Sequence, residues 1–198
     1  LDETNDRLYA IYPLGDGSAT WVWGWSNVSA TGADREADFG ARVPGVDANS
    51  IAAGPNDIVF LADMFHVYAL DGVHLDSGSD HAPDRTMRYV SPGDLQPIAY
   101  DHQRDLLYMF HWIENASTAD GDDLPLRVFT NSTIGFGSER VAAITCFPED
   151  DVLFVANHNR RQIMVFANAS TLEGPVDVTN QVYAVSNIEN AAFYRTGG

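Results

Sequence analysis

Short apolar runs, each opening on an Asp-containing turn, recur along this chain. Four stretches share the pattern: "NDRLYAIY" (5–12), "NDIVFLAD" (56–63), "RDLLYMFH" (104–111) and "EDDVLFVAN" (149–157). In each, a turn-forming Asp precedes an apolar segment with an aromatic at its third or fourth place. Leu8, Val59, Leu107 and Leu153 are equivalent, at spacings of 51, 48 and 46 residues. A repeat of that length is the unit of a propeller blade. Small-residue segments precede three of the Asp turns: "SIAAG" (50–54), "PIAYD" (97–101) and "AAITC" (142–146). A third strand is expected in "TWVWGWS", "HVYALD", "LRVFTN" and "QIMVFAN". Weaker segments such as "RTMRYV" (85–90) and "QVYAVSN" (181–187) close the unit. No long segment combines a 3.6-residue period with caps, so helices are not expected. Short strands between Gly, Pro, Asn and Asp turns predict an all-β fold. Four antiparallel strands per unit predict a β-propeller of four blades.

The expected blades cover about 1–50, 51–96, 97–141 and 142–187, in one domain, with a closing strand at 188–198. The first unit lacks an innermost strand, and "NAAFYRTGG" at the end reads as one. Residues Ala191 to Tyr194 are therefore expected to complete the first blade by strand exchange, which removes sheet edges. The alternative is an arc of a larger ring, completed by a second copy or by further sequence.

Charge narrows the partners. All eleven cationic side chains are Arg, against 28 carboxylates, for a net charge of −17 over 198 residues. Such a surface repels nucleic acid and anionic membranes. No run of eighteen apolar residues exists for a membrane-spanning helix. Protein partners or self-assembly are expected instead, at an extracellular or cell-surface location. Cys146 has no second cysteine to pair with and sits between apolar residues, as a small buried hydrophobe does.

Several polar groups invite chemistry. Four sequons are present, at Asn27, Asn115, Asn131 and Asn168. They are candidate glycosylation sites. Asn27, Asn131 and Asn168 follow expected third strands, where Asn with Ser or Thr caps a turn; Asn115 stands outside that pattern. The loop around it gathers Glu114, Asp120, Asp122 and Asp123, oxygen donors that suit Ca²⁺, although the spacing is not that of an EF-hand. The repeated Asp6, Asp57, Asp105 and Asp151 fit hairpin turns rather than a carboxylate ring. His74, His81, His102 and His111 lack zinc spacing. Trp21, Trp23 and Trp25 alternate and so share one strand face, for packing blade on blade or for stacking on sugars. Asn49, Gln96, Arg140, Glu189 and Asn190 begin the innermost strands and are the candidates for lining a central channel. "HNRR" (158–161) reads as a hairpin turn.

"DVLFVANHNRRQIMVFANASTLEGPV" and "HAPDRTMRYVSPGDLQPIAYDHQRDLLYMF" resemble the bacterial and archaeal extracellular propeller repeats of YncE-like and NHL-like type. The resemblance is fullest over the last two blades. It implies the propeller fold, and for function a binding module, a scaffold or a lactonase. The reading that follows is a non-enzymatic extracellular binding or scaffold module. The alternatives are a lactonase- or cycloisomerase-like enzyme, and a cation- or carbohydrate-binding module. No cofactor other than Ca²⁺ is suggested.

Overall fold

The computed structural model describes residues 5–30, 35–75, 77–88, 97–109, 111–122, 126–130, 141–175 and 182–184. The described residues form four sheets and, besides strands, three short 3-10 turns. The first blade contains β1 (Arg7–Pro13), β2 (Ala19–Ser26) and β3 (Phe39–Pro44). The second contains β4 (Ser50–Ala53), β5 (Ile58–Ala62) and β6 (His66–Asp71); β7 (Ser77–Asp80) interrupts the path to its outer strand, β8 (Arg85–Arg88). The third contains β9 (Ala99–Asp101), β10 (Leu106–Tyr108), β11 (His111–Glu114) and β12 (Leu126–Thr130). The fourth contains β13 (Val141–Phe147), β14 (Val152–Asn157), β15 (Gln162–Ala167) and, after β16 (Gly174–Pro175), the outer β17 (Val182–Ala184). Consecutive strands pair antiparallel in each blade, the up-and-down order of propeller blades.

Blade 3 departs from the expected strand assignment. "LRVFT" is its fourth strand, not its third; the third is His111–Glu114, paired with Leu106–Tyr108. The run from Leu106 to Ile113 contains no Gly, Pro, Asn or Asp, so nothing in the pattern marks the hairpin inside it. Trp112 holds the turn closed, packing edge-on against Tyr108 at 5.5 Å and donating its indole N–H to the Ala169 carbonyl at 3.2 Å.

One device recurs between neighbouring blades. The connection from third to fourth strand runs parallel to the outer strand of the blade before. β7 pairs with β3, Gly121 bridges Met87 of β8, and β16 pairs with β12. Each outer strand thereby has part of its edge satisfied, which limits edge-to-edge association. Gly121 takes φ +73°, a left-handed conformation that favours Gly. Asp120 fixes this bridge by accepting from the backbone N–H of Thr86 at 3.0 Å and of Gly121 at 2.9 Å.

The chain divides into two compact units. One holds blades 1 and 2 with residues 120–123; the other holds the remainder of blade 3 and blade 4. In the first unit, Tyr9, Val22, Phe39 and Ala41 of blade 1 pack on Val59, Leu61, Tyr68 and Leu70 of blade 2. Thr20, fully buried, braces the link between these blades; its hydroxyl donates to the Val46 carbonyl and accepts from the Ala48 N–H. In the second unit, Leu106, Tyr108 and Trp112 of blade 3 pack on Leu153, Val155, Met164 and Phe166 of blade 4. Both interfaces follow one rule. The face bearing the residue two after the turn Asp meets the preceding blade; we term it the leading face. The opposite, trailing face meets the following blade. The expected closing strand, Ala191 to Tyr194, lies outside the described residues.

Candidate functional site

The turn Asp residues are the most repetitive polar groups, and each takes a left-handed backbone, with φ between 50° and 64°. Asp and Asn tolerate that region better than other non-Gly residues. Their carboxylates are engaged at once. Asp6 accepts from the backbone N–H and hydroxyl of Ser29 at 2.9 and 2.7 Å. Asp105 does the same with Ser117 at 2.8 and 2.7 Å, and Asp151 with Ser170 at 2.9 and 2.8 Å. Each Ser is the third residue of a sequon whose Asn is itself left-handed: Asn27, Asn115 and Asn168. The Asn-x-Ser triplet is thus half of a bracket that ties the end of the third strand to the start of the second. Asn115 belongs to this repeat position, contrary to the expectation from sequence, because β11 rather than β12 is the third strand. Asn131 lies outside the described residues. The three Asn side chains described are exposed.

Blade 2 breaks the bracket. Gly72 stands where the other blades have Asn, and His74 where they have Ser. Asp57 instead faces His74 Nδ1 at 3.7 Å and is bonded by Arg7 and Asn5 of blade 1. The substitution converts a bracket within one blade into a clamp between two.

The candidates for a central channel are only partly placed. Asn49 lies just before β4; its N–H donates to the Ala62 carbonyl at 2.9 Å, and its buried Oδ1 has no hydrogen-bond partner. Gln96, Arg140, Glu189 and Asn190 lie outside the described residues. Of the cation candidates, Glu114 ends β11 opposite Leu106, Asp120 caps the bridge to Thr86, and Asp122 is exposed. Asp123 lies outside the described residues. Among the described residues no group of three carboxylate, His or Cys side chains is placed to hold a metal. His81 Nε2 is 3.1 Å from Asp84, His102 is exposed, and His111 begins β11. Cys146 donates to the Tyr100 carbonyl at 3.2 Å, and burial pushes its thiol up to about 12. His158 to Arg161 form the β14–β15 turn, with Arg160 and Arg161 exposed.

The feature that stands out is the leading face of blade 1. Cross-strand register places Leu8 beside Trp25, Ala10 beside Trp23 and Tyr12 beside Trp21. Tyr12 is 62% exposed, Leu8 40% and Trp23 37%. The Trp21 and Trp23 rings stack at 4.9 Å, nearly parallel at 6°. Trp23 lies down on Gly40, where an added Cβ would come within 2.4 Å of the ring. The exposed rings are therefore held by the sheet. Alternation in "TWVWGWS" marked the shared face, but only the burial of the opposite face, with Tyr9, Val22 and Phe39, shows which side is exposed.

No protein-family model matches the chain, and no curated protein matches it. Solved structures resemble it at low identity. The Swd1 β-propeller domain of Myceliophteria thermophila is 10% identical over 83% of this chain and 52% of that chain, with a TM-score of 0.49. A glutaminyl cyclase from Myxococcus xanthus is 13% identical over 84% of this chain and 63% of that chain, at 0.48. A protein from Lactobacillus plantarum is 13% identical over 91% of this chain and 53% of that chain, at 0.48. The chain spans about half to two thirds of the length of these proteins.

Proposed function

We propose that this chain is a non-enzymatic binding or scaffold module of an extracellular or cell-surface protein. The observation that carries the reading is the sheet face of Leu8, Tyr12 and Trp23, apolar, rigidly supported and exposed. Contiguous exposed apolar area of this kind marks interaction surfaces. The repeated carboxylates support the same reading, since Asp6, Asp105 and Asp151 are occupied in holding turns. The extracellular part rests on the sequence resemblance and the acidic composition.

A lactone panel tests the reading against the hydrolase alternative. The expected result is no turnover above buffer. Turnover that disappears in Arg140→Ala or Glu189→Ala would replace the binding module with an enzyme. Melting with and without millimolar Ca²⁺ tests the cation-binding alternative: an unchanged midpoint is expected, and a clear rise would assign the acidic loop to the cation.

A further inference from the structure

We propose that the contact between blades 1 and 2 carries a pH-sensitive switch, in which a proton on His74 tightens the clamp around Asp57 and its loss slackens it. The proposal concerns regulation of the fold and stands apart from the binding-module reading.

The blade that breaks the repeat carries the inference. In blades 1, 3 and 4 the turn Asp accepts from the N–H and the hydroxyl of a Ser. Those donors keep the same charge at every pH near neutrality. In blade 2 the Ser position holds His74, the residue type whose charge ordinarily changes between pH 5 and 8. Its Nδ1 lies 3.7 Å from Asp57 Oδ2, too far for a hydrogen bond, and is buried without a hydrogen-bond partner. A buried polar atom left unpaired is costly. Charging the ring makes Nδ1 a cationic donor facing a carboxylate.

The surroundings set the sign. Asp57 supplies the negative charge. From blade 1, Arg7 bonds Asp57 Oδ1 and Asn5 Nδ2 donates to the same oxygen at 3.2 Å, while the Tyr9 phenol interacts with Arg7. From β3, Phe39 meets the His74 ring edge-on at 6.5 Å. Arg7 opposes a second cation, but it holds the other oxygen of the carboxylate, and a net charge of −17 favours the proton. Asp57 and His74 thus each touch blade 1, so drawing them together firms the contact between the blades. The charged ring is held beside Asp57 only in the folded chain. The stability it adds is present below the range in which histidine titrates and is lost as pH rises through that range.

Urea unfolding of the full chain, followed by Trp fluorescence, reads the outcome, since three of the four Trp lie in blade 1. Between about pH 8 and about pH 5.5, the midpoint is expected to rise more in the parent than in His74→Ser, by on the order of 0.3 M urea. His74→Ser restores the side chain of the other blades and does not titrate. The His66–Asp63 and His81–Asp84 pairs, and the general loss of carboxylate charge, are common to both chains and cancel in the difference. Asp57→Asn removes the carboxylate but keeps a residue suited to the left-handed turn. In that background His74→Ser is expected to leave the pH response unchanged. If His74→Ser lacks a cooperative transition, His74→Gln takes its place. The ring proton signals of His74, assigned by their loss in the variant, are expected to titrate in the folded parent and to do so differently in Asp57→Asn. Equal pH responses of parent and variant overturn the proposal, as does a larger rise in the variant. A difference that survives Asp57→Asn overturns it too, by placing the partner of His74 elsewhere, and so do His74 signals that stay fixed across the range.

Discussion

A single Asp in each blade decides how the second strand starts and where the third ends. Its backbone makes the left-handed turn, and in blades 1, 3 and 4 its two oxygens accept from the N–H and hydroxyl of a Ser 23, 12 and 19 residues further along the chain. Asp151→Ala leaves the Ser170 N–H and hydroxyl without their acceptor and places Ala at φ 51°. A loss of about 1–3 kcal/mol is expected in urea unfolding. Ser170→Ala, which removes only the hydroxyl, is expected to cost about 1 kcal/mol. Cys146 gives a second residue-scale test. With its thiol pushed up to about 12, the folded protein holds almost no thiolate at pH 8. Labelling by a thiol reagent is expected to be slow until denaturant is added. The sign for stability follows: the unfolded thiol ionises from its ordinary value of 9, while the folded one stays protonated to about 12. This group's contribution therefore declines as pH rises from 9 and levels off near 12.

At the scale of the strand, close approach sets the exposed aromatic face. Gly40 on β3 lets the Trp23 ring lie on the sheet, and Gly24 on β2 does the same for Phe39 on the opposite face, where an added Cβ would meet the ring at 2.1 Å. Gly40→Ala is expected to lift Trp23 and to destabilise the fold by about 1–3 kcal/mol. The near-ultraviolet circular dichroism of the Trp21–Trp23 pair should change with it; an unaltered spectrum would show that the ring does not rest there. The same scale explains the parallel bridges. A third-to-fourth connection that lies along the preceding outer strand ties successive blades by backbone bonds as well as by apolar packing; at the β3–β7 bridge the His81 N–H donates to the Arg42 carbonyl at 2.8 Å, with the Arg42–Asp80 ion pair at 3.1 Å beside it.

Over the whole molecule, charge opposes compactness. With 28 carboxylates against eleven Arg, self-repulsion is screened only beyond about 10 Å at 0.1 M salt, but already beyond about 3 Å at 1 M. The melting temperature is expected to rise from low to molar NaCl. Local ion pairs such as Arg85–Asp71 and Arg104–Asp101 weaken under the same change. A fall in the midpoint would mean that these pairs, and not net repulsion, dominate the salt response.

The recurrence of Asp, apolar strand and aromatic, at intervals close to fifty residues, was enough by itself to read four antiparallel blades and the hairpin character of "HNRR". Strand formation and tight turns depend on neighbours along the chain, so the pattern carries them. The third strand of blade 3 was not legible, because "LLYMFHWI" is apolar throughout and its reversal comes from Trp112 packing on Tyr108 and reaching Ala169. That one shift misplaced Asn115 relative to the repeat. Sequence suggested turn caps at three of the sequons, and the fold adds that each described sequon Ser faces a turn Asp. The Trp alternation announced a shared face, yet which face is covered depends on what packs across it. Strand register is a property of the local chain, whereas burial is a property of the neighbouring sheet. Only the tertiary structure, with Tyr9 and Phe39 buried and Tyr12 and Trp23 exposed, decides that blade 1 presents its aromatic side as a surface.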